Sequence, residues 1–374
     1  MITILHTADW QIGRVFSQFE PDDAAALSEA RFTAVERLAH MATEHNVDVV
    51  LVAGDVFDAQ TVTEKTIRRL FNALTPFAGP WIMIPGNHDA ALTESVWTHA
   101  QRLNAIPDNV RVCLDPTPLT IAGKLTVLPA PLTQRHTYSD LTEGFDNAGR
   151  EEGLPRLGLA HGYVQGILSS DIDATNPIAA GRAEAAGLAY LALGDWHGTK
   201  RVDDKTWYAG TPETDRFKNN DSGQALLVRL SDPAASVEVT PISVGRYQWH
   251  HLEREVAVDS DVDALVAELT RFGGDDVLQV RVAGTCSLTG HRQLDEALGA
   301  LKAKARAVVW DSTRLRLQLT EEDVQALHAD GFVGDVLQEL RAEQSGEAAE
   351  LARDALIALA TILDAQRPRT GTAS

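Results

Sequence analysis

The stretch Trp81-Ile82-Met83-Ile84-Pro85-Gly86-Asn87-His88-Asp89 joins four apolar residues to a turn that carries an amide, an imidazole and a carboxylate. An apolar run ending in Pro-Gly reads as a buried strand feeding a loop. Four further polar clusters stand behind apolar runs of their own: Asp9-Trp10-Gln11, Gly54-Asp55-Val56-Phe57-Asp58, Ala160-His161-Gly162 and Gly194-Asp195-Trp196-His197. Open α/β sheets collect their ligands beyond the carboxyl ends of the strands, so the five clusters are expected to meet at one site. Glycines beside them permit tight turns and close approach of the main chain to a bound group.

Around that stretch the chain alternates strands and helices. Ile2 to Thr7 and Val47 to Ala53 read as buried strands flanking a helix from Asp23 to His45, whose Leu27, Ala30, Ala34, Leu38 and Met41 share one face. Helices from Thr63 to Phe77 and from Glu94 to Leu103 bracket the Trp81 strand, and a strand from Val110 to Leu114 follows. Shorter strands are expected at 125–128, 156–160, 190–193, 206–209 and 225–230, with 131–155 as a long loop over one end of the sheet. The fold class is α/β, a two-layered sheet core with flanking helices.

Near Arg246 the pattern changes. Leu278, Val280 and Val282 alternate with polar residues, as do Leu315, Leu317 and Leu319, and helical stretches at 262–272 and 292–305 separate the two runs. The expected organisation is a first domain at 1–246, a small α+β domain at 247–319, a helical segment at 320–366 and a disordered tail at 367–374. Thr320 with Asp323 reads as the N-cap of that segment, and Leu351, Ala355, Leu359, Ile362 and Leu363 as an apolar stripe on its last helix.

Composition narrows the function classes. The 374 residues carry 33 Lys and Arg against 53 Asp and Glu, a net charge of -20, which opposes nonspecific attraction to nucleic acid or anionic membranes. Cys113 and Cys286 are too few and too isolated for a disulfide framework or a thiolate metal site, which points to the cytoplasm. The start of the sequence reads directly as a strand, and no stretch approaches the ~20 apolar residues of a membrane span, so neither secretion nor membrane insertion is expected.

The chemistry of the clusters is that of oxygen donors with a few imidazoles, a set suited to hard or borderline divalent cations. Taken singly, each residue also has a structural reading. Asp9 or Asp55 could cap a helix or a turn, His161 could be a hydrogen-bonded interior histidine, and Trp10 and Trp196 could pack around the site as readily as stack on a base.

In their order and spacing these clusters resemble those of the calcineurin-like metallophosphoesterases, and within them the nuclease subunit of the SbcCD type. The resemblance implies a four-layer α-β-β-α sandwich with a small capping domain and C-terminal helices. It also implies two divalent metal ions, Mn²⁺ before Mg²⁺, about 3.5–4 Å apart, with a bridging hydroxide that attacks phosphorus in line. Carried over by position, one ion would be held by Asp9, Gln11, Asp55 and His197, and the other by Asp55, Asn87, His161 and Asp195. Gln11 and Asp195 depart from the family, which has histidine at both places. His88 would be the catalytic imidazole, oriented by Asp89 or Asp58. Trp10, Trp196, Tyr208 and Arg216 would contact substrate, with Lys218 beside Arg216.

The function so implied is a metal-dependent DNA exonuclease, with endonuclease action as an extension, serving DNA repair or end processing. Its expected partners are DNA, an SMC-like ATPase subunit and a second copy of the chain. Two alternatives stand beside it: a phosphodiesterase or phosphatase for small nucleotides or phosphoproteins, and a noncatalytic scaffold subunit.

Overall fold

The computed structural model describes residues 1–148, 153–167, 175–231, 237–318, 332–343 and 349–365. It divides into two units, Met1–Gln248 and Trp249–Ser374. The capping pair expected at Thr320 and Asp323, and the tail at 367–374, lie outside the described residues.

In the first unit the chain alternates β1 (Ile2–Thr7), α1 (Pro21–Glu44), β2 (Val49–Ala53), α2 (Glu64–Ala73), β3 (Trp81–Ile84), α3 (Val96–Arg102) and β4 (Val110–Val112). It continues through β5 (Leu119–Ile121), β6 (Leu125–Ala130), the short helix α4 (Gly144–Asn147), β7 (Arg156–His161), β8 (Tyr163–Val164) and β9 (Pro177–Ile178). The short helix α5 (Arg182–Ala185) leads to β10 (Tyr190–Gly194), β11 (Lys200–Arg201), β12 (Thr206–Tyr208), β13 (Gln224–Leu230) and β14 (Val237–Ser243). Two six-stranded sheets result, ordered β14-β13-β1-β2-β3-β4 and β11-β12-β10-β7-β6-β5.

The twofold alternation of side chains along a strand decides the layers. Ile4, Val49, Leu51, Ile82 and Ile84 of the first sheet meet Leu125, Val127, Leu157, Leu159 and Tyr190 of the second, which makes the core between the sheets. Their neighbours Leu5, Val50, Val52 and Met83 face the other way and are covered by Val35, Leu38, Ile67 and Leu70 of α1 and α2. On the outer face of the second sheet, Leu128, Leu191 and Leu193 pack with Phe145, Ala183 and Ala186. The architecture is therefore α-β-β-α, with both faces of the central strands buried, which is why β2 and β3 read as unbroken apolar runs. Truncating one such buried leucine, Leu38 for example, costs roughly 2–5 kcal/mol.

The structure corrects several boundaries. α1 begins at Pro21, whose fixed φ suits the first helical turn. α2 ends at Ala73, four residues before Phe77. The expected loop at 131–155 contains a turn of 3₁₀ helix, Leu141–Glu143, and α4. β14 has no counterpart in the sequence reading; it is a largely exposed edge strand holding Pro241, a residue that edge strands tolerate.

The second unit holds β15 (Gln248–Val256), α6 (Asp259–Leu269), β16 (Asp276–Cys286), α7 (Leu288–Lys304) and β17 (Ala307–Leu317), with the sheet ordered β15-β16-β17 and β16 parallel to β17. Leu252, Val262, Leu265, Val280, Val282 and Leu301 form its core. Two further helices, α8 (Phe332–Glu343) and α9 (Ala349–Ala365), pack Leu337, Leu356 and Ala360 against Leu288. Of the stripe expected on the last helix, Leu359 and Leu363 pack against this cluster, whereas Leu351 and Ile362 are exposed; Ala352, Leu356 and Ala360 are the buried positions.

Candidate metal centre

Every cluster picked from the sequence follows a strand end of the first unit, after β1, β2, β3, β7 and β10. Four of the residues concerned hold left-handed backbone, Asp9 at φ 54°, Gln11 at 49°, Asp55 at 53° and Asp195 at 101°. Residues other than glycine avoid this region, at a cost on the order of 1–3 kcal/mol each, and keep it only where neighbours enforce it. Hydrogen bonds from Asp9 N to Gly54 O (3.0 Å), Gln11 N to Asp55 O (3.0 Å) and Ile12 N to Val56 O (2.9 Å) do so here, tying the two loops together beyond the sheet.

His161 is the buried centre of the site. Its Nδ1 donates to the Ala53 carbonyl at 2.8 Å, which leaves Nε2 as the lone-pair nitrogen. Around that nitrogen stand Asn87 Oδ1 at 2.9 Å, Asp195 Oδ1 at 3.6 Å and Asp55 Oδ1 at 3.7 Å. Three oxygens facing one nitrogen lone pair repel one another unless positive charge lies among them, so this donor set fits a divalent cation. Ligand atoms of Asp9, Asp55 and His161 also lie within 4.8 Å of one another. Glycine makes the close packing possible: a Cβ on Gly86 would strike Asp55 Oδ1 and the His161 ring.

The electrostatics show the same demand for a cation. Burial, reinforced by Asp55 and Asp195, pushes the Asp9 carboxyl up to about 6, although His197 and His161 pull the other way. Burial opposes a charge on His161, yet the carboxylates of Asp55, Asp195 and Asp9 outweigh it and raise the imidazole well above its ordinary value, so without an ion Nε2 takes up a proton that a bound cation would displace.

The set expected around the other position, Asp9, Gln11, Asp55 and His197, is differently arranged. Gln11 turns its amide nitrogen toward the site and donates to Asp55 Oδ2 at 2.8 Å, leaving its buried Oε1 without a partner. His197 is held at Nδ1 by Asp215 Oδ2 at 2.9 Å, and Arg216 Nη2 stands against the ring, 2.8 Å from Nδ1 and 3.2 Å from Nε2. Asp195 binds Asp9 through its main-chain N–H, at 3.1 and 3.3 Å from the two carboxylate oxygens. The residues present do not fit a cation there as they stand.

His88 lies beside the first set. Its main-chain N–H donates to Asp55 Oδ1 at 2.9 Å, and its Nδ1 donates to the Asp58 main-chain oxygen at 2.8 Å, which leaves Nε2 facing Asp55 Oδ2 at 3.9 Å. The expectation that a carboxylate orients this ring is corrected. Asp58 acts through its carbonyl, and its carboxylate pairs with Arg14 at 3.5 Å. Asp89 is fully buried and accepts from Gly86 N (2.7 Å), Val56 N (2.9 Å) and Phe57 N (3.1 Å), so it fastens two loops and does not touch the imidazole. Burial, with Asp55 nearby, pushes its carboxyl up to about 7.

Residues 2–180 match the family described as calcineurin-like phosphoesterase. That match takes in just under half of the chain. A Bacillus subtilis (strain 168) protein named as one subunit of the nuclease SbcCD is 24% identical over 277 residues, 63% of this chain and 68% of that protein. The DNA double-strand break repair protein Mre11 of Methanosarcina acetivorans is 26% identical over 355 residues, 88% of this chain but only 53% of that one. The crystal structure of TT1561 of Thermus thermophilus overlaps 65% of this chain and 99% of its own, at 14% identity and a TM-score of 0.41.

Within the first unit two expected substrate contacts are inaccessible. Trp10 is buried, spends its Nε1–H on Thr7 Oγ1 at 2.9 Å and packs edge-on against Trp81. Tyr208 is fully buried, and its hydroxyl donates to Gly162 O and accepts from Val164 N, each at 2.9 Å. Trp196 is half-buried with Lys218 and Lys200 Nζ at 4.5 and 5.6 Å from its ring, and Arg216 stays partly exposed.

Three residues around the site escaped the sequence reading. Buried Arg31, on α1, donates to the carbonyls of Trp10 (2.6 Å), Glu213 (3.1 Å) and Asp9 (3.2 Å) and to Thr211 Oγ1 (2.8 Å). Glu213 accepts from Arg246 N at 2.8 Å and Tyr247 N at 3.0 Å. Asp215 gathers His197, Arg14 and Arg216; burial opposes its charge, but His197 and the arginines hold it well below the usual carboxylate range. The helical period of α1 places Arg31 among buried positions next to Ala30 and Ala34, and a cation on an otherwise apolar face was the available signal. Among the described residues no helix is long and apolar enough to cross a membrane.

Proposed function

We propose that this chain is a divalent-cation-dependent phosphodiesterase that degrades DNA from its ends, with endonuclease action in addition, as the nuclease subunit of a cytoplasmic repair complex with an SMC-like ATPase. The observation that carries this reading is the convergence of Asn87, Asp55 and Asp195 oxygens on His161 Nε2, with the His88 imidazole alongside. Asp55, Asn87, His161 and Asp195 would hold a cation, and manganese suits their mixture of oxygens and one imidazole. When bound it would polarise a phosphoryl oxygen and make a nearby water more acidic.

The rest of the chemistry belongs to the protein. Because Nδ1 of His88 is committed to the Asp58 carbonyl, its Nε2 is directed toward the site, where it stabilises the phosphoryl charge or passes a proton to the leaving oxygen. Trp196, with its two lysines, offers a face for an unpaired base and cations for the neighbouring phosphate. The names of the two relatives, a subunit of a nuclease and a strand-break repair protein, support DNA as the substrate and a partner subunit. A partner also answers the net charge of -20, by supplying the basic surface this chain lacks. The unit from Trp249 onward serves as the capping module that positions the substrate.

The test compares Mn²⁺-dependent cleavage of linear DNA, closed circular DNA and bis-p-nitrophenyl phosphate, with and without a coiled-coil ATPase encoded beside this gene. Release of nucleotides from linear ends is expected. Cleavage of the small diester alone would favour the small-substrate alternative, and no cleavage of any diester would favour a scaffold.

A further inference from the structure

We infer that this centre holds a single divalent cation, at Asp55, Asn87, His161 and Asp195, and that the N–H groups of Gln11 and Arg216 occupy what would be the place of a second. The inference rests on the metal-dependent reading above and concerns how many ions the centre takes.

A carboxylate or an imidazole ligates through a lone pair that no proton donor already uses. At His161 Nε2 is free to ligate: Nδ1 is spent on Ala53, and only oxygens surround Nε2, so nothing but a displaceable proton stands between it and a cation. At His197 it is not. Asp215 Oδ2 holds Nδ1 at 2.9 Å, and the Arg216 guanidinium stands against the ring, with Nη2 2.8 Å from Nδ1 and 3.2 Å from Nε2, so a fixed positive charge already lies beside the nitrogen that would ligate a second ion. A guanidinium keeps its charge and cannot become a ligand. Arg216 is fixed where it is by Asp215, with Nε 3.0 Å from Oδ1.

Gln11 adds the same feature from the other side. Its amide nitrogen covers Asp55 Oδ2 at 2.8 Å and sets an N–H where a second ion would stand, while Asp55 Oδ1, which accepts the His88 main-chain N–H at 2.9 Å, keeps its other lone pair for the position at His161. Turning the amide would set its oxygen against the carboxylate, and the carboxylate disfavours that turn. The position at His161 is thus lined by acceptors, whereas at the other the Gln11 amide and the Arg216 guanidinium bring donors up beside the Asp9 and Asp55 carboxylates. Residues of opposite hydrogen-bonding character select for one cation and against its neighbour.

Metal-stripped full-length protein, loaded with Mn²⁺ and freed of excess by gel filtration, is counted by plasma mass spectrometry and examined by electron paramagnetic resonance. One ion per chain with the spectrum of an isolated Mn²⁺ is expected. Two ions per chain with an exchange-coupled spectrum would overturn the inference, and so would none. His161→Asn is expected to lose the ion; retention would overturn its assigned position. The double variant Gln11→His with Arg216→Ala is expected to gain a second ion; if a folded double variant still holds one, the roles given to these two residues are wrong. Ion counting needs no substrate, so a failure to cut DNA would remove the proposed function and leave this count intact.

Discussion

Nδ1 of His88 donates to the main-chain oxygen of Asp58 at 2.8 Å, a contact that joins the loop after β3 to the loop after β2 and selects one tautomer of the ring. With Nδ1 protonated and bound, Nε2 is the nitrogen left for chemistry. His88→Asn is therefore expected to lower turnover about 10²–10⁴-fold, the usual contribution of a positioned acid or base, while the protein's Mn²⁺ content stays unchanged. Steady-state kinetics together with metal analysis checks this. A parallel fall of metal and activity would make His88 a ligand instead.

Gly86 separates Asp55 from His161 with no side chain of its own. Gly86→Ala forces a methyl group against Asp55 Oδ1 and the imidazole, both packed in place, so the cradle must open. Mn²⁺ binding measured by titration calorimetry is expected to weaken at least about tenfold, or about 1.4 kcal/mol. Unaltered affinity would mean that the ion sits elsewhere.

Arg31 joins α1 to the Asp9 loop and the Thr211–Glu213 loop through four hydrogen bonds, all buried. Arg31→Met would leave the Trp10 and Asp9 carbonyls without a donor, each costing about 1–3 kcal/mol, and would strip one donor from Thr211 Oγ1 and from the Glu213 carbonyl, which keeps the Thr211 hydroxyl. A total loss of about 3 kcal/mol or more follows, which for a unit of this size lowers the melting temperature by about 6–12 °C. Arg31→Lys should recover little of it, since an ammonium cannot reproduce the forked geometry. A melting temperature within a degree of the parent would contradict the role.

His6 is buried in β1, accepting at Nδ1 from the Tyr190 hydroxyl (2.9 Å) and donating from Nε2 to Leu193 O (3.1 Å). Burial, only partly offset by that carbonyl, lowers its pKa to about 3. The folded state keeps the ring neutral while the unfolded chain takes up a proton below the ordinary value near 6.5, so the unfolded state binds more protons between pH 6.5 and 3. Stability therefore falls as the pH drops through that window, by about 1.4 kcal/mol per unit from this group. Urea unfolding at pH 4.5 and 7, compared between the parent and His6→Gln, isolates the contribution; equal pH dependence in the two would rule it out.

Much of the fold was open to reading along the chain. Unbroken apolar runs at Val49–Ala53 and Trp81–Ile84 can be stable only with both faces covered, and the Pro-Gly and Gly-Asp steps after them had to be turns. The clusters at Asp9, Asp55, Asn87, His161 and Asp195 were visible because each combines donor side chains with a strand end. β14 was not visible, since a mostly exposed edge strand keeps little apolar alternation. Trp10 and Tyr208 were misread because an aromatic beside a ligand looks the same in sequence whether it faces solvent or core, and burial is a property of the packed layers.

The sequence alone determined the strand order of the chemistry, the type of donor at each strand end and the family's pattern with its two departures at Gln11 and Asp195. Those are local matters of residue type and spacing. Only the tertiary structure decided which donors and acceptors face one another: that only oxygens surround His161 Nε2 while Arg216 stands against the His197 ring, that Gln11 presents nitrogen to Asp55, and that Asp89 clamps loops and leaves His88 to the Asp58 carbonyl. The reason is that a hydrogen bond commits a donor and an acceptor far apart in the chain, and their meeting depends on how sheets, loops and helix pack around them.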